Sequence, residues 1–500
     1  MRWKRLLACM LFYAPGLAAQ PAPAAEPRYV AVFADGNRAE GNELNSWSYP
    51  GEMARLDGTE LLNLGRPLRW LRDQTLGAFD PAGDVTGYVE LIGGDRLPGR
   101  LVEFIETEEE EEPPAESLNP DPRARKKPAA RDRTKRVPEI VKTPEEKKPA
   151  PPHLTVTIEL PHYLPAEARS ISRIRVLPRY VRRVVWGKGP AQATEPGTLL
   201  FRDGRRTTFQ GLRWQRDSVR VLSDEGIRQA AFSELTEVHL PRGDAWQDYC
   251  RELTDLKLEA NARLVRVETS RGLIITTAES GLRPSGVGGD RPKWFHVAQP
   301  AWSLDPIWVR VLSIRARMYF APTEIPLCRW PPVRFVSRPL LGQGWFWQMD
   351  RNVEGGLLAS EKQLHGWGLG VHAPCELWFE IPKGVEGFRT RAGLDRLAGT
   401  GGCARACIYV NQPGGQQLFQ SKHLVGSTEV VDPGKLSLGG PDRGQKYLVL
   451  VADAAERDRP SGTDPLDIRD TLDWIEPMFT IDRQKLAEAT APATPAKAKP

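Results

Sequence analysis

The sequence predicts a mainly β protein with more than one domain, and three observations carry that prediction. Short runs of alternating apolar and polar residues recur along the chain, and many are followed by a turn that contains Gly. Helical periodicity is scarce, with 61–76 and 246–258 as the best candidates. The chain has 500 residues, whereas one domain usually holds about 100–200.

A strand, a Gly-containing turn and a second Gly recur in the same order in the first two thirds of the chain. The copies begin at Tyr29, Val89 and Leu199, with a looser one at Arg263. The first shows an Asp-Gly hairpin signal at 35–36, directly after its apolar strand. Such self-similarity predicts repeated β-hairpins or small barrel-like units. The regions assigned to them are 28–105, 153–245 and 246–332.

Segment 106–152 interrupts these units and has the composition of a disordered insertion. It joins the acidic run Glu108–Glu112 to a basic block at 123–136, with many prolines and no aromatic residue. Such a chain cannot bury enough apolar surface to offset its conformational entropy. The strands on either side, ending near Phe104 and resuming at Leu154, are expected to belong to one unit. The Ala/Pro/Lys-rich segment 483–500 is predicted to be a flexible tail.

The N-terminus has the three-part pattern of a secretory signal peptide at 1–25. A basic start precedes the short apolar run Leu6–Tyr13 and an Ala-rich stretch. Cleavage at or before Pro27 would place the mature protein in the periplasm or outside the cell. No later stretch approaches the roughly 18 apolar residues of a membrane span, so no transmembrane segment is expected after cleavage.

Charge and motif content argue against several function classes. The 69 basic and 64 acidic residues leave a net charge of only +5, and outside the insertion the two signs are interleaved. No nucleic-acid partner is therefore predicted. The chain has no nucleophile elbow, zinc-protease helix or phosphate loop, and only seven His, which favours a protein that is not an enzyme. Paired carboxylates far apart in sequence could still form a glycoside hydrolase site, the less favoured alternative.

Glycines at alternate positions, Gly366, Gly368 and Gly370, mark the stretch that organises the C-terminal part of the chain. They predict a turn that leads into a half-buried strand. The run Gly368–Leu377 resembles the Gly-x-Gly-Val-His-Ala-x-Ser-Glu-Leu signature of the NPCBM family, with Cys375 in place of Ser. That family is inferred to be a carbohydrate-binding module of bacterial secreted proteins.

Further segments are similar to the same family in the same order, at 388–395, 404–411, 447–453 and 473–474. The resemblance covers 333–482 and implies a galactose-binding-like jelly-roll β-sandwich with a carbohydrate or glycan as its partner. The resulting fold class is mainly β, with this sandwich preceded by a β-hairpin-rich repeat region and a disordered insertion.

Sugar recognition usually needs an aromatic face together with planar polar groups. The candidate carbohydrate-binding residues are Trp367, His372, Trp378, Arg391, Asp395, Asn411 and Trp474. Among the tryptophans, Trp367 and Trp378 are expected to be the better exposed, whereas Phe346 is expected in the core. Packing is the competing interpretation for the aromatic residues, and for His372 it is a hydrogen bond that fixes the glycine turn.

An acidic cluster follows the 447–453 strand and has two interpretations. Asp453, Asp470 and Asp473 could supply oxygen ligands to a structural Ca²⁺ ion. Alternatively, Arg457, Arg459 and Arg469 neutralise the cluster as ion pairs. No other cofactor is expected.

Together these patterns predict an exported, non-catalytic protein that binds carbohydrate through its C-terminal domain. The alternative is a cell-envelope scaffold that uses the same β domains to bind an envelope protein.

Brief protease treatment should cut within 106–152 before any other internal site, because that segment lacks core-forming residues. Mass spectrometry of the early fragments checks this. Early cuts elsewhere, with 106–152 intact, would contradict the prediction of disorder.

Overall fold

The computed structural model describes residues 27–45, 54–61, 67–77, 87–106, 150–158, 172–187, 195–259, 261–285, 295–342, 344–360 and 363–491. The chain is mainly β, as predicted. Over these ranges the α-helices are α1 (Ala245–Asp255) and α2 (Arg483–Thr490). Neither of these helices is long and apolar enough to cross a membrane. The signal peptide at 1–25 and nearly all of the predicted insertion lie outside the described residues.

The predicted repeats form four units in the described part of the chain. Unit 1 comprises β1 (Tyr29–Phe33), β2 (Arg38–Gly41), β3 (Leu44–Asn45), β4 (Arg55–Leu56), β5 (Thr59–Glu60) and β6 (Leu68–Asp73). Unit 2 comprises β7 (Tyr88–Leu91), β8 (Arg96–Pro98), β9 (Arg100–Ile105), β10 (His153–Thr157), β11 (Arg173–Val176) and β12 (Val181–Val185). Unit 3 comprises β13 (Thr198–Phe201), β14 (Arg206–Thr208), β15 (Gly211–Gln215), β16 (Ser218–Ser223), β17 (Gly226–Ala231) and β18 (Leu235–His239). Unit 4 comprises β19 (Leu264–Thr269), β20 (Ile274–Ala278), β21 (Arg283–Pro284), β22 (Phe295–Ala298), β23 (Ile307–Arg310) and β24 (Ile314–Phe320).

All four described units share one topology, which is richer than the hairpin seen in the sequence. The first strand pairs with the second, the next three form a small sheet of their own, and the last strand returns to the other side of the first. In units 1, 3 and 4 the last strand pairs directly with the first, and in unit 2 β12 pairs with β7 in the same way. A short 3-10 helix precedes the last strand in units 2, 3 and 4. The prediction of repeated small β units is confirmed.

The outer strands of the units join edge to edge. Across the described ranges they form a twelve-stranded sheet in the order β14-β13-β18-β12-β7-β8-β20-β19-β24-β6-β1-β2. The last strands of units 2 and 3 pair with each other, as do those of units 1 and 4. This arrangement satisfies strand edges that a single small unit would leave open.

Two predictions about the repeat region have clear outcomes. The strands that flank the insertion, β9 and β10, pair directly, with Leu154 opposite Phe104. They therefore belong to one unit, as expected. The helix predicted at 61–76 is wrong, because Leu68–Asp73 is strand β6 between β1 and β24. The helix predicted at 246–258 is α1, which Asp244 caps by accepting hydrogen bonds from Trp246 N and Gln247 N.

The C-terminal domain is a sandwich of two antiparallel sheets. The first contains β27 (Gln348–Met349), β30 (Gly368–His372), β39 (Thr471–Ile481), β32 (Val385–Leu394) and β36 (Val430–Val431), joined by β25 (Glu324–Pro326) and β37 (Leu436–Ser437). The second contains β26 (Arg334–Ser337), β31 (Cys375–Glu380), β38 (Tyr447–Asp453), β33 (Cys403–Val410), β34 (Gln416–Gln420) and β35 (Leu424–Val425). A short hairpin links β28 (Ala359–Ser360) to β29 (Gln363–Leu364).

The sandwich packs closely against the repeat units. One hydrophobic cluster joins sandwich residues such as Phe388 and Phe479 to Trp70 of unit 1 and Trp246 of α1. Strand β25 lies upstream of the predicted start at 333 and pairs with β39. Helix α2 corrects the prediction of a flexible tail from 483, because Asp482 caps it and Leu486 is buried in the same cluster. Residues 492–500 lie outside the described residues.

The predicted glycine turn is confirmed only at Gly366, which lies in a bend before β30, and is wrong for Gly368 and Gly370. Gly368 and Gly370 lie within β30, between β27 and β39. Their lack of a side chain serves close packing, because a Cβ at Gly370 would meet the carbonyl oxygen of Arg351 and stand 2.5 Å from the Cα of Asn352. A Cβ at Gly368 would meet the carbonyl oxygen of Trp474.

Replacing Gly370 by Val should lower the free energy of unfolding by about 1–3 kcal/mol, because the added atoms overlap backbone that cannot move aside easily. Chemical denaturation measures the change. Gly211→Val is the matched control, since Gly211 lies in β15 with no atom within 4 Å of its added Cβ. Equal effects of the two substitutions would contradict the packing argument.

Candidate functional site

Two of the candidate tryptophans are buried. Trp367 is 1% exposed and Trp474 is 0% exposed. Of the two interpretations of Trp367, packing is therefore confirmed and an exposed stacking position is wrong. Its neighbour Gly366 lies against the indole of Trp70, where a Cβ would stand 2.5 Å from the ring. Unit 1 thus covers this end of β30, and neither tryptophan can stack on a sugar from solution.

Trp378 is partly buried on the second sheet. Its Nε1 donates to Glu376 Oε2 at 3.0 Å, and the guanidinium of Arg334 lies 4.9 Å from the ring centroid. Tyr447 packs edge-on against it at 5.9 Å. Arg334 already occupies one face of the ring. Trp378 is therefore a weaker stacking candidate than its expected exposure suggested.

The polar candidates lie in different places and do not converge. Asp395 is 1% exposed and caps the 3-10 helix that begins at Arg396, accepting from Leu397 N at 2.9 Å. Asn411 is exposed, but its amide closes a turn, with Oδ1 accepting from Lys446 N at 2.7 Å. Arg391 lies on β32, where it pairs with Glu476 at 3.4 Å. The first two therefore have structural roles.

The ring exposed next to the signature is one that the sequence analysis did not select. Trp345 is 45% exposed and stacks on His372, with ring centroids 5.9 Å apart and planes at 21°. Phe346, expected in the core, is 47% exposed and packs against Phe335 at 5.2 Å and Trp347 at 5.9 Å. We call these five side chains the aromatic surface.

Hydrogen bonds hold the aromatic surface in place. The carboxylate of Asp467, a residue that is 2% exposed, accepts from Leu340 N at 2.7 Å and thereby ties the 454–470 loop to the segment that carries Trp345. Burial lowers the pKa of His372, although the backbone of Ala373 and the charge of Asp467 act in the opposite direction. His372 is therefore neutral near pH 7 and can both donate and accept a hydrogen bond.

One signal in the sequence could have found this surface. Trp345, Phe346 and Trp347 are consecutive, and they follow the Gly-rich stretch 342–344. Three adjacent rings in an extended chain cannot all point to the same side, because side chains alternate in direction. At least one exposed ring was therefore to be expected there.

The calcium candidates have arginine partners or are fully buried. Asp453 pairs with Arg405 at 2.7 Å, and Asp470 accepts from Arg459 at 2.6 and 2.9 Å. Asp473 is 0% exposed. Burial raises the pKa of Asp473 well above its usual value, and the charge of Asp395 raises it further. Among the described residues, no group of three or more His, Cys, Asp or Glu side chains has the arrangement of a metal site. A structural Ca²⁺ stays a prediction.

The geometry thus defines a two-sheet sandwich with an exposed aromatic surface at one end of β30. The model of the NPCBM/NEW2 domain matches residues 340–480, less than a third of the chain. The C-terminal domain is therefore an NPCBM/NEW2 domain, which confirms the resemblance seen in its sequence.

Several solved structures are similar to this chain, and no curated protein matches it. One is the CBM51 module of Clostridium perfringens GH95 in complex with methyl-galactose, with 22% sequence identity and a TM-score of 0.26. The match covers 32% of this chain and 100% of that chain. Another contains the CBM51-2 domain, in complex with GlcNAc, and the INT domains of ZmpB from the same organism, with 18% sequence identity and a TM-score of 0.26. That match covers 37% of this chain and 36% of that chain.

The buried Asp473 predicts a specific pH dependence. Because its pKa is higher in the folded than in the unfolded state, its contribution to stability is complete below the unfolded pKa of about 4 and is lost as pH rises through the folded pKa. Asp473→Asn should therefore flatten the fall in unfolding free energy as the pH rises above about 4. Denaturant titrations at several pH values measure it.

Asp224→Asn is the control, since Asp224 is an exposed residue on unit 3 and should leave the slope unchanged. Equal slopes for Asp473→Asn and the unmodified protein would contradict the assignment of a buried, protonated carboxyl.

Proposed function

We propose that this protein is an exported, non-catalytic carbohydrate-binding protein that binds a glycan at the aromatic surface of its NPCBM/NEW2 domain. The observation that carries the proposal is Trp345, an exposed indole held by a ring stack on His372. Membership of the domain family supports carbohydrate binding. Export is proposed from the basic and apolar pattern of residues 1–25.

The physical basis is the two-sided character of a sugar ring. Its C–H faces are apolar and pack on an indole, whereas its hydroxyl groups need hydrogen-bond partners at the rim. His372 covers one face of Trp345, which leaves the opposite face for a sugar. Arg338 adds an exposed donor group, because its side chain is 72% exposed. The backbone N–H of Arg338 donates to Pro374 O at 3.1 Å, which anchors this residue beside the signature.

A pre-formed platform also lowers the entropic cost of binding. The ring of Trp345 is restrained by its stack on His372, and the Asp467 carboxylate fixes the neighbouring backbone. Fewer side-chain rotamers are therefore lost when a ligand binds.

A protein partner, as in an envelope scaffold, is the second candidate. Its support is a group of exposed apolar side chains beside the aromatic surface, comprising Leu340, Leu341, Leu466 and Ile468. The Asp467 carboxylate that binds Leu340 N brings the two segments together. Exposed apolar patches of this kind often mark protein interfaces.

Trp345→Ala should weaken glycan binding about tenfold or more, because the lost stacking contact is worth on the order of 1–1.5 kcal/mol. It should leave the melting temperature nearly unchanged, since the ring is exposed. A glycan array with the full chain identifies a ligand, and titration calorimetry on the two proteins measures the change.

Trp378→Ala is the comparison variant, since its ring lies on the second sheet under Arg334. Loss of binding in Trp378→Ala but not in Trp345→Ala would show that the sugar binds at Trp378 and would contradict the assignment of Trp345. If no glycan binds and a stable protein complex forms through the exposed leucines, the scaffold function replaces this one.

A further inference from the structure

A cleft of about 490 Å³ lies between unit 1 and the first sheet of the sandwich. Unit 1 contributes side chains from β1, β2 and β6, and the sandwich contributes β32, β39 and the loop after β36. The volume lies within the range of about 300–1,000 Å³ that is common for small-molecule sites. The aromatic surface is not part of its lining, so this is a separate candidate site.

Cations outnumber carboxylates on the lining of the cleft. Its cationic side chains are Arg38, Arg69, Arg389, Arg391 and Lys435. The carboxylates on the same lining are Asp432 and Glu476. Carboxylates beside the lining also pair with two of the cations, Glu40 with Arg38 and Glu386 with Lys435. Arg389 and Arg391 are 39% and 34% exposed, so a ligand can reach both guanidinium groups.

Acidic residues hold the arginines without using all of their donors. Glu324 accepts from Arg69 at 2.8 and 3.1 Å and from Arg389 at 2.8 Å. A guanidinium has five N–H donors. Among the described residues, the Nε and Nη1 groups of Arg389 and all the N–H groups of Arg391 have no hydrogen-bond acceptor. Arg391 has only the 3.4 Å ion contact with Glu476. The cleft therefore presents solvent-exposed guanidinium donors that a ligand can use.

The wall of the cleft contains an unusual backbone feature. Strand β39 has an extra residue opposite Arg389–Arg391, and at this bulge Glu476 adopts a positive φ of 51°. A non-glycine residue in this conformation costs energy and is enriched at functional sites. The bulge directs the Glu476 carboxylate toward unit 1, where it accepts from Trp70 Nε1 at 2.7 Å. The two parts of the protein are thereby locked together at the wall of the cleft.

We propose that this cleft binds an anionic saccharide whose carboxylate or sulfate groups accept hydrogen bonds from Arg38, Arg389 and Arg391. The negative charge of the ligand follows from the guanidinium groups of the lining, whose carboxylate partners leave some of their N–H donors available. That the ligand is a saccharide rests on the proposed function of the domain. Planar guanidinium groups suit planar carboxylates especially well, because two N–H donors can bind two oxygens at once.

The test uses the full chain and two probes of equal length, an oligogalacturonide and a neutral galacto-oligosaccharide. The oligogalacturonide should bind, and its affinity should fall as salt is raised, because ion pairs at a partly exposed site are screened. Arg391→Gln and Arg38→Gln should each weaken binding about tenfold. Arg391→Lys, which retains the charge, should lose less.

Arg213→Gln is the matched control. Arg213 lies on unit 3 away from the cleft, is 72% exposed and pairs with Glu106. It should leave affinity unchanged. Melting temperatures of all variants separate loss of a ligand contact from loss of fold. The proposal is overturned if the oligogalacturonide does not bind, if the neutral probe binds equally well, or if Arg391→Gln and Arg38→Gln change affinity no more than Arg213→Gln.

The outcomes also separate this proposal from the proposed function. Binding of the acidic probe that depends on Arg391 but survives Trp345→Ala supports the cleft, whatever happens at the aromatic surface. Neutral-glycan binding that depends on Trp345, with no binding of the acidic probe, overturns the cleft alone. If citrate competes as strongly as monomeric galacturonate, the anionic part stands and the saccharide part is wrong.

Discussion

The contact between Trp70 and Gly366 is the constraint on which the arrangement of the whole protein depends. The indole of Trp70, on the last strand of unit 1, occupies the space that a side chain at Gly366 would need. Arg72 of the same strand donates to the Gly366 carbonyl, and Trp70 Nε1 donates to Glu476. A β-strand of a repeat unit is thereby pressed against the start of β30. Any larger residue at Gly366 would push the two parts of the chain apart.

Charged groups buried near the same boundary add specificity to this apolar contact. Arg266 of unit 4 lies 3.3 Å from Asp350 of the sandwich, and Arg329 binds Glu252 of α1 at 2.6 Å through both carboxylate oxygens. Burying such pairs costs desolvation energy that their attraction only partly repays. Their separation would leave unpaired buried charges, which is far less favourable. The pairs therefore disfavour other relative placements of the repeats and the sandwich.

The two proposed sites lie at opposite ends of strand β30 in the first sheet of the sandwich. At one end of β30, Gly368 pairs with Ile475, next to Glu476 and the basic cleft. At the other end, His372 pairs with Thr471 and supports the ring of Trp345. A five-residue strand thus connects a basic, donor-rich site to an aromatic one. Glycines allow this strand to pack closely, because Gly370 lies against the 351–352 backbone and Gly368 against the carbonyl oxygen of Trp474.

The sequence by itself determined the features that depend on local pattern. Alternating hydrophobicity and Gly turns predicted the β class and the repeated units, and the Gly368–Leu377 motif predicted the NPCBM domain. The sequence also predicted that the strands on either side of the insertion belong to one unit, in which β9 pairs with β10. These succeed because side-chain direction in a strand and backbone freedom at Gly are properties of a few adjacent residues.

Only the tertiary structure decided which side chains reach the surface. Trp367 looked accessible between two glycines, but Trp70, almost 300 positions earlier in the chain, covers that segment. Leu68–Asp73 has a helix-like pattern and is a strand because β1 and β24 supply its partners. The basic cleft combines Arg38 with Arg391, which no spacing in the sequence relates. Exposure and convergence depend on contacts between distant segments, and such contacts arise only when the chain is folded.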